Sequence, residues 1–387
     1  MPGFTGDDDI TYGMTTLGQQ KLIQFNKNFL PTTAAVAGEW FSLFRGGGNP
    51  TADSVMNTGT NLLFQQMKDT TTNATGILHG GDVSPAYKFL MAGNAWSSAA
   101  TVAPSTAQLI DILGWYRVTS VTTTSAQSTT NTLIAFSTFT ADAGTDVLTH
   151  SNINLMHLSR VQFSTTTTLP GGLSAATNYF VIKLTDTTFK VASSYANAVA
   201  GTNIDITSAG TGTHTINTLL PRYTNGANVE AFFVNTNATP LGAATPNLSL
   251  GYTNSQGVSS RATPATPALP IGKTAAANGL ILHSGATGVG KYGPAVPLQA
   301  GDAGILQIDT IQNSTSYVSG EYAVVLFTRL MTFPITTLGV AAERETKSQV
   351  PSFPRIYDGA CLTLLINAGA NIPTNSQING QLSVAWR

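Results

Sequence analysis

Along this 387-residue chain the spacing of apolar positions changes. Near the start Leu22, Phe25 and Phe29 stand at i, i+3 and i+7, one face of a helix, with Leu17 before them and Pro31 to stop it. Trp40, Phe41 and Phe44 follow, and glycines with Pro50 mark a loop. Residues 51–115 carry two short helical patterns. One holds Leu63, Phe64 and Met67. The other begins at Ser105, with Gln108 three residues on as a capping box, and runs through Leu109, Ile112, Leu113 and Trp115. From about residue 118 the chain turns to short β-branched and aromatic runs broken by Gly, Asn and Pro. In 179–184, Phe180, Ile182 and Leu184 face one way and Tyr179, Val181 and Lys183 the other. Residues 228–234, 248–252, 305–311, 322–331, 361–366 and 381–386 are further strands. The unbroken apolar run from Ala323 to Phe327 predicts a strand covered on both faces. The expected class is mainly β: a sandwich or jelly-roll-like body with an N-terminal helical segment. Residues 1–45 read as an N-terminal arm and helix, and the Pro/Ala/Gly/Thr-rich stretch 241–300 as a linker or a second arm.

Composition narrows the function. Charged residues are 10% of the chain, against about 25% in ordinary soluble domains, and the net charge is -1. Thr alone numbers 58. So neutral a chain disfavours nucleic-acid binding, which draws on many Lys and Arg. One cysteine rules out a disulfide scaffold. No apolar run is long enough to span a membrane, and the opening MPGFTGDDDI has no apolar region of a secretory signal. A surface of Thr, Ser, Asn, Gln and Gly suits packing against other chains, because burying these groups costs less than burying Lys or Glu.

Candidate chemistry is sparse. GATGVGK, residues 285–291, fits the first part of a phosphate-binding loop, but Tyr292 stands where a Ser or Thr hydroxyl belongs and Pro294 blocks the helix that should follow. His79, His150, His157, His214 and His283 lack partners at zinc spacing. Asp146 lies near His150, with no reason in a β-rich segment to converge. Cys361 sits in an apolar run and reads as a buried thiol. Asp7, Asp8 and Asp9 read as a solvated acidic tail, with cation binding as the functional alternative. Glycan cleavage would need a pair of acids such as Glu230, Glu321, Glu343 or Glu345, which spacing cannot pair. The densest charge cluster, Glu343-Arg344-Glu345-Thr346-Lys347, reads as a solvated loop, with an intersubunit salt-bridge patch as its functional alternative. No catalytic, cofactor or metal residue is assigned, no cofactor is expected, and the expectation is a protein that is not an enzyme.

One segment is recognisable. Thr168-Leu169-Pro170-Gly171-Gly172-Leu173, Tyr179-Phe180-Val181-Ile182, Phe189-Lys190-Val191-Ala192 and Gly210-Thr211-Gly212-Thr213-His214 resemble a small Ig-like β module of tailed-bacteriophage virion proteins. With 132–218 set aside, SLFRGGGNP, LLPRYTNGANVEAFFV, LSLGYTNSQG, VPLQAGDAGILQI and LGVAAERETKSQVPSFPRIYDGACLTLLI look like a family of head-morphogenesis proteins of such phages. The resemblance implies an inserted Ig-like domain, 132–218, within a discontinuous body, 46–131 plus 219–387. It implies a structural protein of the virion, a capsid decoration or cement protein bridging capsid subunits; a tail, baseplate or receptor-binding component is the alternative, and a virion glycan-degrading enzyme the reading from another class. The implied partners are copies of itself in a homotrimer, the major capsid protein, and host surface glycans through the module, with no nucleic acid and no membrane.

Overall fold

A computed structural model describes residues 7–29, 38–49, 51, 55–68, 76–97, 105–236, 241, 246–264, 279–282, 293–336, 339–345, 353–369, 372–373 and 376–387. The described chain is mainly β. Its strands pair antiparallel into three open sheets and one closed barrel. The first sheet runs Ala342–Glu345, Lys88–Ser97, Gln377–Trp386, Gln20–Asn28, Gly48–Asn49. The central sheet runs Glu230–Asn235, Tyr322–Ile335, Ser105–Val118, Leu362–Ala368, Trp40–Ser42. The third runs Arg261–Ala262, Leu248–Asn254, Ile305–Asn313, Gln127–Ser128.

The central sheet organises the body through two 14-residue strands, Ser105–Val118 and Tyr322–Ile335, which pair along their whole length. One end packs on the first sheet, where Ala107, Leu109, Met331 and Phe333 meet Phe25, Leu90 and Leu382. The other end packs on the third sheet, where Tyr116, Val118, Val324 and Leu326 meet Leu250, Tyr252 and Ile308. Ile110, Ile112, Trp115, Val325 and Phe327 enter a further core with Trp40, Met67 and Ile281. Leu113 and Leu330 are extra residues at two bulges in the pairing, and each enters a core. At Gly114 a side chain would collide with the Phe64 ring and the Gln65 carbonyl, so glycine lets the short strand Phe64–Gln66 close on its neighbour.

Three helical expectations fail. Leu22, Phe25 and Phe29 do not share a helix face: Gln20–Asn28 is a strand, and it is Ile23, Phe25, Lys27 and Phe29 that are buried, while Leu22 is 58% exposed. Period two therefore governs, and the segment is built into the first sheet rather than standing off as an arm. The helix lies earlier, at Asp7–Thr15. Ser105–Val118 is likewise a strand; it is apolar on both faces because both are covered, and periodicity cannot separate that from a buried helix. Phe64 begins a short strand of three residues. The strands expected at 179–184, 228–234, 248–252, 305–311, 322–331, 361–366 and 381–386 are present, several of them longer than expected.

The barrel lies within 134–218, in the order Arg160–Thr165, Tyr179–Lys183, Thr188–Ala192, Val147–His150, Ile134–Asp142, His214–Thr218, and pairing of the last with the first closes it. Phe139, Leu148, Phe163, Val181, Phe189 and Ile216 fill its interior. On the outside the five-residue helix Tyr195–Val199, capped by the Ser194 hydroxyl, covers Phe180 and Ala192. The turn expected at Leu169–Leu173 is present, with Gly172 at φ +92°. Thr218 pairs with Ile134, so the chain enters and leaves the barrel at adjacent points.

Candidate functional site

The described surface carries a cleft of about 520 Å³ where barrel and body meet, lined by Ser137, Thr138 and Asn152–Asn154 on one side and by Lys68, Asp82, Asp358 and Gly359 on the other. Its two body carboxylates hold backbone. Asp82 Oδ1 accepts the Gly359 N–H at 2.9 Å, and Asp358 accepts the N–H groups of Val83 at 2.9 Å and Ser84 at 3.1 Å. Close to Asp82 lies a buried pair. Lys88 Nζ donates to the Gly81 carbonyl at 2.6 Å and lies 2.8 Å from His79 Nδ1, and His79 Nε2 is 3.7 Å from Asp82. Burial, and then the Lys88 charge, lowers the His79 pKa to about 4, so the imidazole is neutral and its Nδ1 accepts. Burial also lowers Lys88 to about 8 against the pull of Asp358 and Asp82. Lys88 is only 1% exposed, which makes this pair an internal fastener and keeps a substrate from the amine.

A second fastener joins the cores. Arg222, 1% exposed, spends all five guanidinium protons: Nε and Nη2 on the two Asp111 oxygens at 2.9 and 2.7 Å, Nη2 also on the Ile112 carbonyl, and Nη1 on the carbonyls of Met67 and Gly359. Asp111 also accepts the Cys361 N–H at 2.9 Å. It sits between Leu109 of the first core and Leu113 of the second.

The junction itself is a clamp. The Arg355 guanidinium lies 3.5 Å from the Tyr87 ring centre and 4.2 Å from that of Tyr357, and donates to Asn154 of the barrel at 3.2 Å. Tyr87 hydroxyl donates to Asp186 of the barrel, which Lys183 also holds at 3.0 Å. Burial, and then that bond, pushes the Tyr87 pKa up to about 12. Ser159 and Thr224 share a hydroxyl contact at 2.6 Å, and Arg160 reaches Gln307.

The residues singled out in the sequence are scattered. His150 packs on Phe189 at 5.2 Å and His214 on Phe139 at 5.3 Å; His157 is exposed and accepts the Lys183 N–H at 3.3 Å. Asp146 holds Asn203 and the Ile206 N–H rather than a histidine. Cys361 is buried in the third core. Glu230 is taken by Arg329 through two bonds of 2.6 and 2.8 Å, and Glu321 by Arg117 at 2.6 Å. Glu343 and Glu345 stand on the edge strand of the first sheet, with Arg344 between them donating to the Thr332 carbonyl, so the described part of this cluster, 343–345, is strand and not loop. Asp9, expected in a solvated tail, begins in a helix and pairs with Arg387 at 2.8 Å. The 285–291 loop, His283 and Lys347 lie outside the described residues, as does most of 265–292. Among the described residues no group of three or more His, Cys, Asp or Glu is placed to hold a metal ion, and no helix is long and apolar enough to cross a membrane. The residues the sequence did not signal are Lys88, Asp111, Arg222 and Arg355; a lone basic residue inside an apolar or aromatic run, as in YKFLM and LPRY, is the one available sign.

No family model matches the chain, and no curated protein matches it. Two solved structures align over most of its length: the infectious bursal disease virus VP2 subviral particle, at 9% identity over 98% of this chain and 86% of that one, and the T=1 particles derived from infectious bursal virus, at 10% identity over 97% and 82%. Both have a TM-score of 0.16, which is not a shared fold.

Proposed function

We infer that this chain is a structural protein of a tailed-phage particle, a decoration or cement protein that sits beside copies of itself on the capsid and bridges neighbouring subunits. The observation that carries this reading is where the few ions are. Asp111–Arg222, Glu321–Arg117, Asp302–Arg261 and Glu230–Arg329 pair within the chain, the first three of these carboxylates buried. What remains outside is largely uncharged, with Leu22, Leu184, Val199, Val318 and Val340 exposed. Surfaces of that kind lose little on being covered, and repeated weak contacts on a symmetric shell add by avidity. The rigid clamp at the barrel suits a part that must hold its shape while tiled.

Light scattering on the purified full chain and antibody-labelled microscopy of finished particles test it together. The expected results are a closed oligomer, a trimer on this reading, and label over the icosahedral shell. Label confined below the neck would assign the chain to the tail and overturn the decoration role; a monomer absent from particles would overturn the virion reading altogether.

A further inference from the structure

Strand register places a row of uncharged side chains across the outer face of the first sheet. Trp96 pairs with Asn379, Asn379 with Asn26, and Asn26 with Asn49. Two residues along each strand, and so on the same face, Asn94 pairs with Gln381 and Gln381 with Gln24. The opposite face of these strands holds Ile23, Phe25, Leu382 and Val384 in the first core, which fixes the amide rows as the outward set. Between the rows is a depression of about 270 Å³, near the lower end of small-ligand sites at about 300 Å³. Only the backbone of Gly380 reaches its floor, because this residue faces the core, where a side chain would collide with the Phe25 ring.

Three features select a ligand. The Trp96 ring is half-buried at the rim, a flat apolar platform. An amide offers both donor and acceptor to a hydroxyl; Asn26 Oδ1 already accepts the Asn49 N–H at 2.7 Å and Asn94 Oδ1 the Gln381 N–H at 3.1 Å, so these two present chiefly their NH2 groups as donors. Among the described residues, the amides of Gln24, Asn379 and Gln381 have no internal hydrogen bond that would hold them away from a ligand. Among the described residues no ionisable side chain lines the depression, and the nearest edge strand puts exposed Glu343 beside Asn94 on this face, which disfavours anions. We propose that this face binds a neutral oligosaccharide, with one sugar ring stacked on Trp96 and its hydroxyls held by Asn26, Asn379, Gln24 and Gln381. The site belongs to the body and not to the barrel, and it stands whether or not the chain resides on a particle.

Saturation-transfer NMR and calorimetry on the full chain test it, with chitotriose and maltotriose as neutral probes and sialyllactose as the anionic one. At least one neutral probe is expected to bind and sialyllactose to bind more weakly. Trp96→Ala should weaken binding by about tenfold, the worth of one good stacking contact. Gln381→Ala, a milder change on the exposed face, should weaken it severalfold with an unchanged circular dichroism spectrum, and serves if Trp96→Ala does not fold. Absence of binding by both neutral probes, binding of the anionic probe alone, or binding unaffected by Gln381→Ala in a folded protein would each overturn the proposal.

Discussion

The barrel and the body reach stability by different routes. The barrel draws every interior residue from a stretch of about 80 residues, with short strands joined to near neighbours, and its two ends meet at Ile134 and Thr218. The body depends on partners far apart: Ser105–Val118 pairs with Tyr322–Ile335, and Gln20–Asn28 with Gln377–Trp386. A unit of the first kind can sit in a loop of another fold at small entropic cost, because its ends are already close. A unit of the second kind must bring its pieces together before any contact rewards it. The body also carries the buried ion pair, whereas the barrel interior is apolar and aromatic.

The sharpest way to break this comparison is to damage each region separately. Asp111→Ala leaves Arg222 charged and unpaired in the body and orphans the Cys361 N–H; it should cost about 3–5 kcal/mol and bring the body's unfolding transition down sharply in denaturant. Phe189→Ala, in the barrel interior, should cost about 3 kcal/mol or more and act on the barrel's transition first. If both variants shifted a single transition equally, the two regions would be one cooperative unit. Arg355→Ala comes next. It removes the stacked cation between Tyr87 and Tyr357 and should loosen the junction by about 1–2 kcal/mol, read as faster proteolysis between residues 150 and 160 with both cores retained.

A graded effect is acid sensitivity, small near neutral pH, and it samples both regions. His79 in the body and His150 in the barrel each have a pKa lowered to about 4, in both cases chiefly by burial. The native state then holds fewer protons than the unfolded chain below the usual value near 6.5. The contribution of these two histidines should fall as pH drops from about 6.5 to about 4 and level off below that, where Asp146, Asp186 and Asp302, whose carboxyls are held below their ordinary value, take over the loss. His79→Gln should flatten the body's share of that slope and His150→Gln the barrel's, measured as denaturation midpoint against pH.

What could be read from the sequence follows the same division. The strand pair of 179–192 was visible because both runs are short, β-branched and aromatic, with a glycine-rich turn before them. In the body, 322–331 shows the same signal, but Gln20–Asn28 does not read as a strand because Lys27 occupies a core position and breaks the alternation of Ile23, Phe25 and Phe29. Lys27 is tolerated there because its ammonium reaches the Gly46 carbonyl at 3.0 Å, a partner brought in by tertiary structure. The pairing of Asp111 with Arg222 spans 111 residues and leaves no local trace. The amide rows on the first sheet depend on the register of four strands, which no single stretch of sequence contains.

The two long strands of the central sheet also determine how the body carries load. Their 13 paired positions form one continuous ribbon reaching from the first core to the second. Tension applied along the ribbon between these two cores loads those hydrogen bonds side by side, in shear, so that many must rupture at once. Pulled apart crosswise, the same bonds would peel in sequence. The body is therefore stiffest along its own spine, and a neighbour that grips it at both ends pulls in the direction where it yields least.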